Sequence, residues 1–160
     1  MQHYSKSLLV IAHTPSPNTV SMASGILSGT RDEAIESVET TLVSPFDCDS
    51  EMVLSSDALI LFTTENFGYM SGALKDFFDR VFYPCLAEPN RNNGTPYALV
   101  IKAGLDGTGT QTSVRKITTG LKWKPIHNDV LCKGQFEQRF IEDCRNLGQT
   151  VAASLDAGII

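Results

Sequence analysis

The 160-residue chain lacks the features that mark membrane proteins, disulfide-rich proteins and nucleic-acid binders. No apolar run approaches the roughly 20 residues that a membrane-spanning helix needs. The four cysteines lie far apart with no Cys-x-x-Cys pair, which predicts free thiols. Basic residues are few and scattered, and the net charge of −5 argues against a protein that follows nucleic-acid phosphates. What is left is a globular chain, long enough to bury a sizeable core.

The amino terminus also lacks a recognisable targeting signal. Its apolar run, residues 8–12, is too short for a signal-peptide core, and no small-residue cleavage site follows it, so a cytoplasmic location is expected. The three histidines, His3, His13 and His127, show no metal-ligand spacing, and no metal site is predicted.

Short apolar runs alternate with helical patterns along the whole chain, and there is no internal repeat. Nearly continuous apolar runs that end in turn residues predict buried parallel strands, and apolar residues at helical spacing predict helices packed on them. The predicted strands are residues 7–12, 38–43, 58–64, 97–102 and 123–127. The predicted helices are residues 19–35, 74–82, 111–120 and 135–155, and residues 88–95 are predicted to be a surface loop. This alternation predicts a single α/β domain over residues 1–160, with a doubly wound five-stranded parallel sheet.

In such sheets, ligands bind beyond the carboxyl ends of the strands, where three loops follow the first, third and fourth predicted strands. The first loop, residues 13–21, leads straight into a helix amino terminus, where unpaired N–H groups favour an anion. It contains no Lys or Arg, so it suits holding a phosphomonoester on neutral donors better than phosphoryl transfer. The alternative is an ordinary helix cap at Asn18 or Thr19. The candidate phosphate-site residues are Thr14, Ser16, Asn18, Thr19 and Val20.

The second loop, residues 63–72, and the third loop, residues 103–112, suit a flat ring. In the second loop, Phe67 and Tyr69 flank Gly68, whose missing Cβ lets backbone approach a flat ligand closely. The alternative is that both aromatics are core or rim residues. The glycine-rich third loop offers backbone N–H and C=O groups, although it lacks the third glycine of a dinucleotide-binding fingerprint. The candidate ring-site residues are Glu65, Asn66, Phe67, Gly68, Tyr69, Gly104, Leu105, Asp106, Gly107 and Gly109.

Residues 67–80, FGYMSGALKDFFDR, resemble the FG-x-M-S-G-x-L-K-x-F-x-D-R stretch of NAD(P)H-dependent FMN reductases and of quinone reductases of the tryptophan-repressor-binding-protein type. Residues 107–110, GTGT, resemble the corresponding glycine-rich loop of that family. The resemblance implies a flavodoxin-like fold of strand order 2-1-3-4-5 with helices on both faces. It also implies FMN as cofactor, with its phosphate in the first loop and its ring between the second and third, and NADPH or NADH as reductant. The first loop departs from the usual form of the family, so phosphate contacts carry over only to Thr14, Ser16, Asn18 and Thr19.

Two main functions follow from this resemblance. One is an NAD(P)H-dependent oxidoreductase that passes hydride through bound FMN to a small-molecule acceptor, such as a quinone or a flavin, or to a redox protein. The other is a flavodoxin-type electron carrier without direct NAD(P)H use, and a flavin-binding or flavin-free interaction module is a third alternative. Carriers tend to be strongly acidic and to stack an aromatic side chain on the flavin from the loop after the fourth strand. In this chain the net charge is modest, and residues 103–112 contain no aromatic. The enzyme is therefore favoured, with no catalytic acid or base, no nucleic-acid or membrane partner, and a homodimer among the expected assemblies.

Overall fold

The computed structural model describes residues 5–160, and His3 lies outside the described residues. The strands are β1 (Lys6–Ala12), β2 (Val38–Val43), β3 (Ala58–Asn66), β4 (Tyr69–Met70), β5 (Pro96–Ala103), β6 (Lys124–Pro125) and β7 (Val130–Lys133). The helices are α1 (Pro17–Thr30), α2 (Ser50–Leu54), α3 (Gly72–Leu86), α4 (Pro89–Asn92), α5 (Thr108–Gly120) and α6 (Arg139–Asp156), with a 3₁₀ turn at Pro45–Asp47.

All strands except β4 form a parallel sheet in the order β2-β1-β3-β5, with β6 and β7 both paired to the outer edge of β5, and β4 pairs antiparallel with the end of β3. β6 pairs with the start of β5, and β7 pairs in parallel with its second half. The two short strands together fill the fifth position of the sheet, so the predicted flavodoxin-like order 2-1-3-4-5 is confirmed.

The fifth strand itself differs from the prediction of residues 123–127. Only Lys124–Pro125 of that range pairs with β5, and pairing resumes at β7, which the sequence did not predict. The N–H groups of Lys124 and Ile126 donate to the carbonyls of Thr95 and Tyr97, at 2.8 and 3.0 Å, so the N–H that Pro125 lacks would face away from β5. After it, the buried carboxylate of Asp129 is held by Arg115, at 3.0 Å, and by Gln111 of α5, also at 3.0 Å. These bonds tie the connection between β6 and β7 to α5.

Two hydrophobic layers cover the sheet because successive side chains of each strand point to opposite faces. Leu9, Ile11 and Leu61 face α3 and α5, whereas Leu8 and Val10 face α1 and α6. All five side chains are buried. The layers fix the strand ends, and with them the loops that follow β1, β3 and β5.

Helices α1 and α6 approach each other closely along a line of glycines. A Cβ at Gly29 would overlap the carbonyl oxygen of Arg145, and a Cβ at Gly148 would overlap that of Ile26. Gly29 of α1 and Gly148 of α6 therefore permit close helix packing, and their role is structural.

Residues 88–95 were expected to be a surface loop, and this expectation is wrong in one respect. The segment contains the short helix α4, and Asn92 at its end is fully buried. The Asn92 amide donates to the carbonyl of Leu121 at 2.8 Å and accepts from the indole N–H of Trp123 at 2.7 Å. The polar, turn-rich composition of residues 88–95 does not reveal that the Asn92 side chain bonds two buried groups of residues 121–123.

Among the described helices, none combines the length and the apolar character of a membrane-spanning segment. Within residues 5–160, no three or more His, Cys, Asp or Glu side chains are arranged to hold a metal ion. The four cysteines are free thiols, and all of them are buried.

Candidate functional site

The three loops meet at one edge of the sheet. β1, β3 and β5 are adjacent and parallel, so their carboxyl ends point the same way. The N–H of His13 donates to the carbonyl of Phe62 at 3.0 Å, which ties the first loop to the end of β3. The carboxylate of Glu65 ties the second loop to the third. The structure therefore brings the predicted phosphate and ring segments together.

In the first loop, Ser16 is the amino-terminal cap of α1. The Thr19 N–H donates to Ser16 Oγ at 3.2 Å, and the Ser16 N–H donates to Thr19 Oγ1 at 3.0 Å, which is a reciprocal capping box. The expected cap at Asn18 or Thr19 was therefore misplaced. Pro17 takes the first helical position, where its fixed φ and missing N–H are tolerated, and this leaves Ser16 as the cap.

Because of the capping box, some of the predicted phosphate-site residues are bonded to the protein and others are free to bind a ligand. Ser16 and the buried Thr19 are bonded to each other. Within the described chain, the side chains and backbone N–H groups of Thr14 and Asn18 have no hydrogen-bond partner. Burial lowers the pKa of His13, which favours the neutral form of its imidazole. An anion at this helix end would meet neutral donors, a set that fits a phosphomonoester.

The second loop is a tight hairpin rather than an open loop. β3 runs on to Asn66, and Asn66 pairs with Tyr69 of β4 across the two turn residues Phe67 and Gly68. Both turn residues have positive φ, 54° and 71°, as a two-residue hairpin requires. Glycine adopts this conformation freely, but for a bulky residue such as Phe67 it is strained, and strain of this kind concentrates at functional sites.

Buried hydroxyls that the sequence analysis did not single out hold the base of this hairpin. The Thr63 hydroxyl donates to Ser71 Oγ at 3.0 Å, and the Ser71 N–H donates back to Thr63 Oγ1 at 3.1 Å. Ser71 also caps α3 by accepting from the Leu74 N–H at 3.2 Å. A serine immediately before an amphipathic run is a recognisable helix-start signal, so Ser71 could have been found from the sequence.

Exposed apolar side chains surround the meeting point of the three loops. They are Val20 (50% exposed), Phe67 (107%), Tyr69 (42%) and Leu105 (72%). These are four of the eight large apolar side chains that are exposed within residues 5–160. Apolar surface gathered at one edge marks a place where a ligand or partner binds. A flat heteroaromatic ring would cover such side chains, so they fit the flavin of FMN.

The carboxylate of Glu65 acts as a clamp on the third loop. Its Oε1 accepts from the Leu105 N–H and its Oε2 from the Gly107 N–H, each at 2.8 Å. Charge-assisted bonds of this kind are the stronger class of hydrogen bond. Two of the backbone donors in the predicted ring site therefore bind protein, and they hold the loop in one conformation.

Other predicted ring-site residues also support the loops. Asp106 accepts from the Thr108 N–H and hydroxyl, at 3.0 and 2.8 Å, and these bonds lower the pKa of its carboxyl. A Cβ at Gly109 would overlap the carbonyl oxygen of Gly68, so this glycine allows α5 to touch the hairpin. At Gly104, a Cβ would meet nothing within 4 Å.

The remaining member of the second-loop set is the exposed Asn66, whose Oδ1 accepts from the Thr64 hydroxyl at 2.9 Å. All fifteen predicted residues thus lie in or beside the three loops. The side-chain oxygens of Glu65, Asn66 and Asp106 are engaged with the protein itself.

Comparison with known proteins identifies the family. Residues 30–138 match the family model of the NADPH-dependent FMN reductases, a range that contains the second and third loops but begins after the first. Comparison with curated proteins gives no significant match.

Solved structures of the same fold share little sequence with this chain. A flavodoxin from the domain Archaea is 17% identical, with 93% of this chain and 98% of that chain covered and a TM-score of 0.73. A WrbA-like flavodoxin from Agrobacterium tumefaciens is 16% identical, with 96% and 98% covered and a TM-score of 0.73. A flavodiiron protein from Giardia intestinalis is 18% identical with a TM-score of 0.75, and the match covers 98% of this chain but 37% of that one. At these identities the matches show a flavodoxin-like fold, and the family match covers more than half of the chain and supports an FMN-binding flavoprotein. The chain is an FMN-binding flavoprotein that belongs to the NADPH-dependent FMN reductase family.

Proposed function

We propose that this protein is an NAD(P)H-dependent oxidoreductase that holds FMN at the carboxyl ends of β1, β3 and β5. The observation that carries the proposal is the position of free donors, at Thr14 and Asn18, beside a rim of exposed apolar side chains. Bound FMN would supply two-electron redox chemistry between a reduced nicotinamide and a small-molecule acceptor or a redox protein.

The phosphate of FMN would bind at the amino terminus of α1. The hydroxyl of Thr14 and the amide of Asn18 donate to it, together with their backbone N–H groups. The capping box of Ser16 and Thr19 holds the loop in place for these contacts. The positive end of the helix dipole adds to the attraction. Exposed Val20, on the first turn, would cover the phosphate-bearing side chain of the cofactor.

The ring would bind between the hairpin and the third loop, against Phe67, Tyr69 and Leu105. The Glu65 clamp and the contact of Gly109 with the hairpin hold the two loops together before any ligand arrives. A preorganised site of this kind binds a rigid ring at a smaller entropic cost. Hydride transfer between nicotinamide and flavin needs no general acid or base from the protein.

One observation separates the enzyme from a flavodoxin-type carrier, and another favours the carrier. The exposed side chain of the third loop is the aliphatic Leu105, so no aromatic covers a ring face from that side, and nicotinamide has room to stack. Phe67 is fully exposed on the hairpin, and if it folded over the ring it would close one face to nicotinamide, which would favour an electron carrier. Reduction of bound FMN by NADPH or NADH under anaerobic conditions decides between the two functions.

The phosphate site is tested by flavin affinity in the double variant Thr14→Ala/Asn18→Ala. Two charge-assisted bonds of about 1.5–3 kcal/mol each are lost, so the variant should bind FMN about 3–6 kcal/mol more weakly and should bind riboflavin almost as the parent protein does. Thr41→Ala, on the exposed side of β2, is the control and should match the parent protein. Equal losses for FMN and riboflavin would place the phosphate elsewhere. The visible spectrum of the same samples, before and after anaerobic addition of NADPH or NADH, tests the oxidoreductase.

A further inference from the structure

A groove of about 530 Å³ runs between α3 and α5, and it begins at the hairpin of the ring site. Tyr69 and Gly109 line it beside the hairpin, Lys75 lines it from α3, and Thr112, Lys116 and Ile117 line it from α5. Residues 108, 112 and 116 share one ridge of α5, because residues four apart on a helix lie above one another. From Thr108 to Lys116 the helix rises roughly 12 Å, so the groove extends well away from the ring site.

The groove is cationic in an acidic protein. Two lysines line it and none of its lining residues is acidic, whereas the whole chain has a net charge of −5. Between Asp106 and Asp129 the chain contains Arg115, Lys116 and two further lysines but no Asp or Glu. A concave surface with one sign of charge attracts ligands of the opposite sign.

Both lysines of the groove can turn to a ligand. Within residues 5–160, Lys116 forms no ion pair. Lys75 Nζ lies 2.6 Å from Asp79 Oδ1, but the two side chains are 39% and 64% exposed, and such a surface pair is weak. Asp106, two residues before Thr108 at the hairpin end of the groove, accepts hydrogen bonds from the Thr108 N–H and hydroxyl. The cations are therefore available to phosphate groups.

We propose that this groove holds the phosphate-bearing part of NADPH, with Lys116 and Lys75 as its phosphate contacts. An occupant must reach the hairpin with one end and place negative charge along α5 with the other. A dinucleotide whose nicotinamide lies at the ring site meets both conditions. NADPH carries one phosphate more than NADH, so the two lysines select NADPH. The inference rests on the proposed function for the nicotinamide end of the ligand.

Calorimetric titration tests the groove without an activity measurement. NADP⁺ and NAD⁺ are titrated into the FMN-loaded protein, and 2′,5′-ADP is titrated into the flavin-free protein. We expect Lys116→Gln and Lys75→Gln each to weaken NADP⁺ and 2′,5′-ADP roughly tenfold, the low end for an exposed charge-assisted bond, and NAD⁺ less than about threefold. Lys124→Gln removes the same charge from the exposed strand β6, outside the groove, and should match the parent protein.

Three results would overturn the proposal. One is parent protein that binds neither NADP⁺ nor 2′,5′-ADP. The second is groove variants whose NADP⁺ affinity equals that of Lys124→Gln. The third is a change of oligomeric state in the groove variants, measured by light scattering, with nucleotide affinity unaltered, which would make the groove an interface between copies. Failure of the proposed function would show separately, as absent FMN binding or as bound FMN that neither NADPH nor NADH reduces. In that case the titration with 2′,5′-ADP still tests whether the groove binds phosphate groups.

Discussion

Replacing Glu65 by Gln tests whether the clamp between the second and third loops shapes the ring site. The parent carboxylate accepts from the Leu105 and Gly107 N–H groups at 2.8 Å each. An amide of the same size keeps one acceptor oxygen and turns an NH₂ group toward the other N–H. One charge-assisted bond, worth about 1.5–3 kcal/mol, is lost, and the other falls to the neutral range of about 0.5–1.5 kcal/mol. Because Glu65 is only half-buried, water recovers part of this, and a net loss of about 1–3 kcal/mol is expected.

The assay is equilibrium urea unfolding of the flavin-free protein, followed by titration with FMN and with riboflavin. Both flavins should bind more weakly to Glu65→Gln and by the same factor, because the third loop moves while the donors at Thr14 and Asn18 stay in place. Glu39→Gln, an exposed position on β2, removes the same charge without breaking a bond and is the control. A Glu65→Gln protein within about 0.5 kcal/mol of this control, with unchanged flavin affinity, would refute the clamp.

Two further predictions concern the third loop. Gly109→Ala should destabilise the protein by about 1–3 kcal/mol in urea unfolding, although alanine favours helices, because its Cβ would overlap the Gly68 carbonyl. Gly104→Ala, where a Cβ meets nothing, should stay within about 0.5 kcal/mol of the parent protein, and equal losses in the two variants would contradict the close approach. The bonds from Thr108 lower the pKa of Asp106 from its ordinary 3.8, so the carboxylate stabilises the protein above that value and loses this effect as the pH falls through the lowered pKa. The difference in Tm between the parent protein and Asp106→Asn should therefore stay constant above about pH 5 and narrow as the pH falls below about 4, and a difference that does not change would contradict the assignment.

The sequence alone determined the order of most elements and the three loops of the candidate site. Residues 58–64 form a short run of apolar, β-branched and aromatic residues, which indicates a buried strand, and the apolar spacing of residues 74–82 is helical. Both patterns are local, so the sequence shows them directly. In a parallel sheet, the loops that follow adjacent strands must lie at one edge. The position of the candidate site therefore follows from the order of the strands. The similarity of residues 67–80 to FMN reductases is a similarity of sequence and needs no structure to be recognised.

Only the tertiary structure showed which residues of the candidate site are bonded to other parts of the protein. The bonds of Glu65 to Leu105 and Gly107 join residues 40 and 42 positions apart. The contact of Gly109 with Gly68 and the groove that holds Lys75 and Lys116 likewise depend on how α5 packs against the hairpin and α3. Periodicity reports which face of an element is buried, but not which distant backbone group a side chain meets. Such pairings depend on the packing of whole elements, so the bonds by which Glu65 holds the third loop could not be predicted from the sequence.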